Sequence, residues 1–187
     1  MNFLAHIYLS GEDEGIIIGN FIADGIKGKR YLKFPSKIQK GILLHRFIDS
    51  YTDSPARLHQ KYGHYSGVIV DILYDHFLAK NWNRYHTQPL ADYVDDFYEL
   101  LRTNFEILPT RIQRMMPYMM ADNWLLSYAS IKGISTILNQ MNQRTKNRAK
   151  MNFAVLELEE FYTEFETEFT SFFAELIPAS QQKLNQL

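Results

Sequence analysis

Ionisable side chains lie inside the most apolar helical patterns of this sequence, and this combination limits how the chain can fold. The stretch from Asp71 to Trp82 spaces its apolar residues like a helix with one core-facing stripe. Asp71 and Asp75 are one helical turn apart and share a face, and His76 lies on the adjoining edge. Because carboxylates and imidazoles are seldom buried without a partner or a metal ion, the stretch is interpreted as one wall of a metal-holding cavity.

The same pattern recurs upstream of this stretch. Asn20 and Asp24 are spaced i, i+4 in apolar sequence, as are His45 and Asp49, and His6 lies in the apolar N-terminal segment. Any one of these histidines, taken alone, is more often a hydrogen-bonded core residue. Burying all of the charges separately would cost several kcal/mol each, whereas convergence on a divalent ion offsets that cost. The repetition therefore favours a shared cation.

Composition restricts the chemistry and the location of such a site. The 187 residues include no cysteine, so a metal would take His, carboxylate and water ligands. This donor set suits manganese, iron or zinc, and a carboxylate-rich shell also admits magnesium. The net charge of −1 excludes a globally basic nucleic-acid binder. No apolar run approaches the ~18–20 residues of a membrane span, and no secretory leader is evident, so a cytoplasmic protein is expected.

Helical periodicity dominates the sequence, and no stretch is convincing as a hairpin. With 46% hydrophobic residues the chain can build a substantial core. We expect one all-α domain over residues 1–187, with about seven or eight helices. The predicted helical segments include residues 15–26, 35–49, 71–82, 90–108, 122–141 and 153–177, with a short helical or irregular connection at 56–65.

Charged and Met-rich segments outside these patterns have ordinary interpretations. Basic runs are usually solvated faces, but two of them opposed by an acidic C-terminal helix suggest a surface that steers an acidic partner. The Met-rich segment from Met115 to Met120 is predicted to fill the core, with an acyl or pantetheine channel as the alternative. His59, His64 and His86 lie in polar sequence and are predicted to be surface residues.

Several motifs in the first half of the chain are found together and in order. They are residues 2–6, 19–24, 41–49 with 52–53, and 74–82, and residues 122–125 with Tyr128 extend the pattern more loosely. Together they resemble the bacterial acyl carrier protein phosphodiesterases, also called acyl carrier protein hydrolases. The resemblance implies an enzyme that removes 4′-phosphopantetheine from holo-acyl carrier protein and leaves the apo form. It also implies a helical, manganese-favouring relative of the HD-type phosphohydrolases, although the adjacent pair here is Asp75-His76 instead of His-Asp.

The resemblance and the chemistry together suggest roles for the polar residues. The expected metal is Mn²⁺, with Mg²⁺ or Fe²⁺ as alternatives, and its predicted ligands are Asp24, His45, Asp75 and His76. Asp49 or Asp71 would orient a liganding histidine or act as base.

Other residues are expected to contact the substrate or the partner. His6 and Asn20 would support the ligands or contact phosphate, and Arg46 or Lys80 would neutralise developing charge. Because acyl carrier protein is strongly acidic around its modified serine, a basic docking patch is predicted, formed by Lys27, Lys29, Arg30, Lys33 and Lys37.

Two alternatives remain open at this point. The first is a metal-dependent phosphohydrolase that acts on nucleotides or on another small phosphodiester. The second is a non-catalytic helical protein that binds acyl carrier protein or another acidic partner.

Overall fold

The computed structural model describes residues 1–52, 66–144, 146, 151 and 153–187. These residues form α-helices and short 3-10 turns, and no strand is present among them. Eight of their helices have seven or more residues, which confirms the predicted all-α fold. The predicted connection at residues 56–65, with His59 and His64, lies outside the described residues, as does Asp53.

The described residues form ten α-helices along the chain. They are α1 (Phe3–Tyr8), α2 (Glu14–Ile22), α3 (Ser36–Thr52), α4 (Ser66–Lys80), α5 (Leu90–Thr103), α6 (Thr110–Ala121), α7 (Trp124–Ser127), α8 (Ile131–Arg144), α9 (Phe153–Glu160) and α10 (Tyr162–Gln186). The 3-10 turns are Ala23–Gly25, Gly28–Lys33, Trp82–Arg84 and Phe105–Ile107.

The region predicted as one helix over residues 122–141 is two helices, α7 and α8. A Cβ added to Gly133 of α8 would lie 1.9 Å from the carbonyl oxygen of Ser127. The start of α8 therefore packs against the end of α7, backbone to backbone, which one continuous helix could not do. Helical periodicity alone does not report such a turn, because both helices keep the same apolar spacing.

A glycine on each helix lies at the crossing of α2 and α3. A Cβ added to Gly19 would lie 2.2 Å from a backbone oxygen of α3, and one added to Gly41 would lie 2.2 Å from a backbone oxygen of α2. The two backbones can approach this closely only because neither position has a side chain. The crossing therefore holds Asn20, next to Gly19, against His45, one turn after Gly41.

The N-terminus of α1 is held against α4 by Asp75. The buried Asp75 carboxylate accepts hydrogen bonds from the backbone N–H groups of Asn2 (3.2 Å), Leu4 (2.7 Å) and Ala5 (3.3 Å). Burial raises the pKa of Asp75 to about 7, although these N–H groups stabilise the ionised form. A helix N-terminus offers unpaired N–H groups and a positive dipole end, so this contact fixes the position of α1.

The buried hydrophobic residues of the described chain form one contiguous cluster. Stacked aromatic rings of α10 contribute to it, with the centroids of Phe169 and Phe173 5.0 Å apart. In the described part of the chain, no helix combines the length and the apolar character that crossing a membrane requires.

Replacing Gly41 with alanine should weaken the α2–α3 crossing. The added methyl group meets backbone that cannot rotate away, so we expect a loss of about 1–3 kcal/mol in the free energy of unfolding. Urea unfolding followed by circular dichroism measures it. Gly67→Ala is the matched control, because its added methyl group meets nothing within 4 Å. Equal midpoints for Gly41→Ala and the parent protein would contradict the close approach.

Replacing Asp75 with asparagine should destabilise the docking of α1. The variant keeps the side-chain shape but loses the charge and one acceptor oxygen, which leaves buried N–H groups unpaired. We expect a loss of about 1–3 kcal/mol in the free energy of unfolding. The same urea titration tests this, and an unchanged midpoint would show that the three hydrogen bonds do not stabilise the fold.

Candidate metal centre

An open cavity of about 530 Å³ lies between the N-terminal helices and α6–α8. The helices α1 to α4 and the 3-10 turn after α2 contribute most of its polar lining residues, which include His6, Asn20, Asp24, His45, Asp49 and Asp71. The helices α6 to α8 contribute mainly apolar side chains, which include Met115, Trp124, Ile137 and Met141. The cavity therefore has both an ionisable and an apolar lining.

Two buried imidazoles are stacked at the polar lining. The ring centroids of His6 and His45 are 4.0 Å apart and their planes are inclined by 19°. The Asn20 Oδ1 atom lies 2.8 Å from Nδ1 of His6 and 3.2 Å from Nδ1 of His45. The Asn20 Nδ2 atom donates to the carbonyl oxygen of His6 and to Ser10 Oγ, both at 2.9 Å. Because a carbonyl oxygen can only accept, the amide must present its oxygen to the rings.

The Asn20 contact determines which ring nitrogen is protonated. Asn20 Oδ1 has no proton to give, so each Nδ1 carries a proton and donates it to Asn20. The Nε2 atom of His45 is directed toward carboxylates, and that of His6 lies near both a carboxylate and the carbonyl oxygen of Met1, which is 3.1 Å away. The Nε2 atom of His6 is 3.2 Å from Asp49 Oδ1. The Nε2 atom of His45 is 3.1 Å from Asp49 Oδ2 and 3.2 Å from Asp24 Oδ1.

The converging nitrogen and oxygen atoms require a positive charge among them. The ligand atoms of His6, His45 and Asp49 all lie within 4.8 Å of one another. A neutral imidazole with its proton on Nδ1 presents a lone pair at Nε2, which is repelled by a carboxylate oxygen at hydrogen-bond distance. Either a proton on Nε2 or a bound cation removes this repulsion.

The two histidines differ in how readily they take that proton. Burial and the nearby His45 lower the pKa of His6 to about 4, although the hydrogen bond with Asp49 opposes them. Burial would also lower the pKa of His45, but hydrogen bonds with Asp24 and Asp49 outweigh it and raise that pKa to about 9. Of the two imidazoles, His6 is therefore the one that would more readily offer an Nε2 lone pair to a metal ion.

The carboxylates of the group stay ionised. The hydrogen bond with His45 lowers the pKa of Asp24. Burial raises the pKa of Asp49, but the hydrogen bonds with His45 and His6 lower it more. Two carboxylates and one protonated imidazole leave the group with a negative charge, which a divalent cation compensates.

The donor set fits a divalent metal ion. Imidazole nitrogens and carboxylate oxygens suit manganese, iron or zinc, and Asn20 supplies the orienting contact that liganding histidines typically have. The side chains of Asp49 and Asp24 are 42% and 62% exposed, so the group is open toward the cavity. His6, His45 and Asp49 would hold the ion, which would displace the proton on Nε2 of His45, with Asp24 beside them at the opening.

The structure corrects the predicted ligand pair Asp75 and His76, neither of which lines the cavity. Asp75 binds the N-terminus of α1. Nδ1 of His76 lies 2.7 Å from the carbonyl oxygen of Tyr128, and its Nε2 lies 2.9 Å from the hydroxyl of Tyr162. Each side chain is buried with polar partners of its own, so neither needs an ion to offset desolvation.

Arg46 and Lys80, predicted to neutralise charge, also lie outside the cavity lining. Arg46 Nη2 donates to the carbonyl oxygens of Ile26 and Gly28, both at 2.8 Å. Lys80 Nζ lies 4.2 Å from the ring centroid of Tyr162. Arg46 follows His45 directly, but consecutive helical residues are rotated by roughly 100°, so the two side chains serve different faces of α3.

Other predicted residues do meet at the cavity. His6 belongs to the donor group itself, Asn20 supports it, and Asp71 lines the cavity, where it accepts a hydrogen bond from the amino group of Met1 at 2.6 Å. Lys37 forms an ion pair with Asp13, which lowers the pKa of that carboxyl.

Sequence reasoning missed residues of the cavity wall. Arg111 lines the cavity, and nothing in its amphipathic segment distinguishes it from a surface cation. Trp124 lies within residues 122–125, so the loosely matching motif at these positions could have identified it as a site residue. In the Met-rich segment, Met116 and Met119 are buried in the core as predicted, whereas Met115 lines the cavity.

A His and carboxylate group that opens into a cavity of a helical protein defines a candidate hydrolase centre. Residues 1–176 match the family model described as acyl carrier protein phosphodiesterase, and the chain belongs to this family. This confirms both the predicted resemblance and the predicted enzyme class, a phosphodiester hydrolase, and sets aside the non-catalytic alternative.

Curated relatives with the same description match this chain over nearly their whole length. The acyl carrier protein phosphodiesterase of Pectobacterium atrosepticum is 29% identical over 185 residues, which cover 95% of this chain and 96% of the relative. That of Yersinia enterocolitica is 27% identical over 191 residues, which cover 98% of this chain and 99% of the relative. No solved structure matches the chain, so the predicted kinship with HD-type phosphohydrolases stays a prediction.

Removing a donor of the group should reduce metal affinity. We expect His6→Ala and Asp49→Ala to weaken Mn²⁺ binding by about 100-fold or more, since second-sphere losses alone reach about 10–100-fold. Titration calorimetry with chelator-treated protein measures the affinity. His76→Ala is the control, since its partners are Tyr128 and Tyr162. Loss of Mn²⁺ binding in His76→Ala, with binding retained in His6→Ala, would contradict the assignment.

Proposed function

We propose that this enzyme hydrolyses the phosphodiester bond between 4′-phosphopantetheine and the serine of holo-acyl carrier protein, with a divalent cation held by His6, His45 and Asp49. Mn²⁺ is the expected ion, and Mg²⁺ or Fe²⁺ are alternatives. Family membership supports the phosphodiesterase reaction. The observation that supports the cation is the convergence of two Nε2 atoms on carboxylate oxygens, with both Nδ1 atoms bonded to Asn20.

The reaction requires an activated water and neutralisation of an anionic diester. Water attacks phosphorus, the bond from phosphorus to the serine oxygen breaks, and that oxygen takes up a proton, which leaves 4′-phosphopantetheine and the apo protein. A divalent cation, when bound, lowers the pKa of water and pairs with phosphate oxygens. Asp24 and Asp71 line the cavity, and one of these carboxylates would accept the proton of the water. Arg111 lines the same cavity and takes the charge-neutralising role predicted for Arg46 and Lys80.

The apolar lining supports a long amphiphilic substrate arm. Met115, Ile137 and Met141 are side chains that adapt to a flexible chain. The indole N–H of Trp124 is buried and has no acceptor within the described residues. A pantetheine arm has both methylene groups and amide carbonyls, so it suits this wall better than a nucleobase with a charged ribose phosphate does. This observation favours phosphopantetheine over the nucleotide alternative.

The protein part of the substrate would dock on basic residues beside the site. Lys27, Lys29, Arg30 and Lys33 are exposed on the segment that follows Asp24. Such cations attract an acidic partner and orient it during encounter. Lys37 is left out of this patch because it pairs with Asp13. The proposal also includes a cytoplasmic location and a role in lipid metabolism. The enzyme would act there through turnover of the acyl carrier protein used in fatty acid biosynthesis.

Incubation with holo-acyl carrier protein and Mn²⁺ tests the reaction. Intact-protein mass spectrometry should show loss of the phosphopantetheine mass, and a chelator should stop it. We expect Asp49→Ala to lower turnover by about 100-fold or more, as for loss of a charge-stabilising group, while His76→Ala stays active. An unchanged mass with Mn²⁺, Mg²⁺ and Fe²⁺, together with cleavage of a nucleotide diester, would support the alternative substrate class instead.

A further inference from the structure

We infer that residues 26–34, here called the docking segment, form a preorganised interaction surface with Leu32 as its apolar anchor. The partner it fits is an acidic protein surface with an apolar cleft. The inference rests on the proposed function in taking acyl carrier protein as that partner. It does not rest on the metal.

The backbone of the docking segment is fastened to α3 near both ends. Arg46 Nη2 donates to the carbonyl oxygens of Ile26 and Gly28, and its guanidinium lies 5.2 Å from the ring centroid of Tyr31. Gln39 Nε2 donates to the carbonyl oxygen of Phe34 at 2.7 Å. Hydrogen bonds from a charged donor are the stronger kind, so the segment is ordered before a partner arrives. A preordered surface loses less conformational entropy on binding.

Leu32 is displayed among cations on this fixed backbone. Its side chain is 56% exposed, and Lys29, Arg30 and Lys33 around it are exposed as well. No acidic residue occurs between positions 25 and 48. A single exposed leucine is ordinary on a protein surface, but an apolar anchor with a charged rim is the anatomy of a protein interface. The cations select an acidic partner, and the leucine requires an apolar depression on it.

The place of the docking segment in the fold agrees with the geometry of the reaction. The scissile bond is attached directly to a serine on the surface of the partner, so the docking surface must lie beside the reacting group. The segment begins two residues after Asp24, whose carboxylate contacts His45 and is largely exposed. Arg46, which fastens the segment, is the next residue after His45. A partner seated on the segment would therefore bring its serine to the mouth of the cavity.

Leu32→Ser tests the anchor against a matched control. We expect the KM for holo-acyl carrier protein to rise roughly tenfold, as for a moderate interface hot spot, with kcat little changed. Hydrolysis of bis(p-nitrophenyl) phosphate, which has no protein part, should be unaffected. Leu156→Ser is the control, since Leu156 is 60% exposed but lies on the acidic helix α9. The inference is overturned if both variants change KM equally, or if Leu32→Ser changes neither KM nor kcat.

Arg46→Met tests the fastening of the docking segment. Because Arg46 acts through residues 26–34, it is a positioning residue, and its loss should raise the KM for the protein substrate without lowering Mn²⁺ content. A fall in kcat for the small diester together with loss of Mn²⁺ would instead place Arg46 in the metal centre and overturn the positioning role.

A binding measurement separates failure of the inference from failure of the proposed function. Fluorescence anisotropy with labelled apo-acyl carrier protein needs no turnover, and Leu32→Ser should weaken its binding even if the enzyme cleaves another diester. Sedimentation with phosphatidylglycerol vesicles is the counter-test. Binding of those vesicles that depends on Leu32, with no binding of apo-acyl carrier protein, would assign the segment to a lipid surface and overturn the inference.

Discussion

The Asn20 side chain is the polar contact on which the proposed metal centre depends. Its single oxygen receives hydrogen bonds from Nδ1 of both His6 and His45, and its amide hydrogens are used by the His6 carbonyl and Ser10. A fully buried amide with every group paired is rigid, since each broken bond would leave a desolvated partner at a cost of about 1–3 kcal/mol. The contact exists only because α2 and α3 touch at Gly19 and their backbones leave no gap.

The sequence was sufficient to predict the helical class and part of the site. Asn20, Asp24, His45 and Asp49 could be grouped because each interrupts an apolar helical pattern, and the structure brings them together with His6. Local patterns report which face a residue occupies. They do not report which other helix packs against that face. The identity of that helix determines whether a buried polar group meets an ion or an ordinary hydrogen-bond partner.

Asp75 and His76 show why the remaining residues could not be placed from the sequence. The partners of Asp75 are backbone N–H groups about 70 residues away, and those of His76 are Tyr128 and Tyr162. Neither interaction has a local signature. The role of Arg46 was hidden in the same way, because its neighbour His45 faces the cavity while Arg46 itself holds the backbone near Ile26. One helix, α3, thus supports the proposed metal centre on one face and the docking segment on another.

The fully buried Asp75 and the partly exposed Asp49 lie in two different carboxylate environments. The Asp75 carboxylate accepts hydrogen bonds from three backbone N–H groups, which stabilise its ionised form without any metal ion. Asp49 instead faces Nε2 of His6, which also lies 3.1 Å from the carbonyl oxygen of Met1, while burial lowers the pKa of His6 to about 4 and so disfavours its protonated form. A lone pair held against a carboxylate weakens a fold unless a cation lies between them. The fold keeps this unfavourable contact at the opening of a cavity, where the proposed divalent ion would relieve the repulsion.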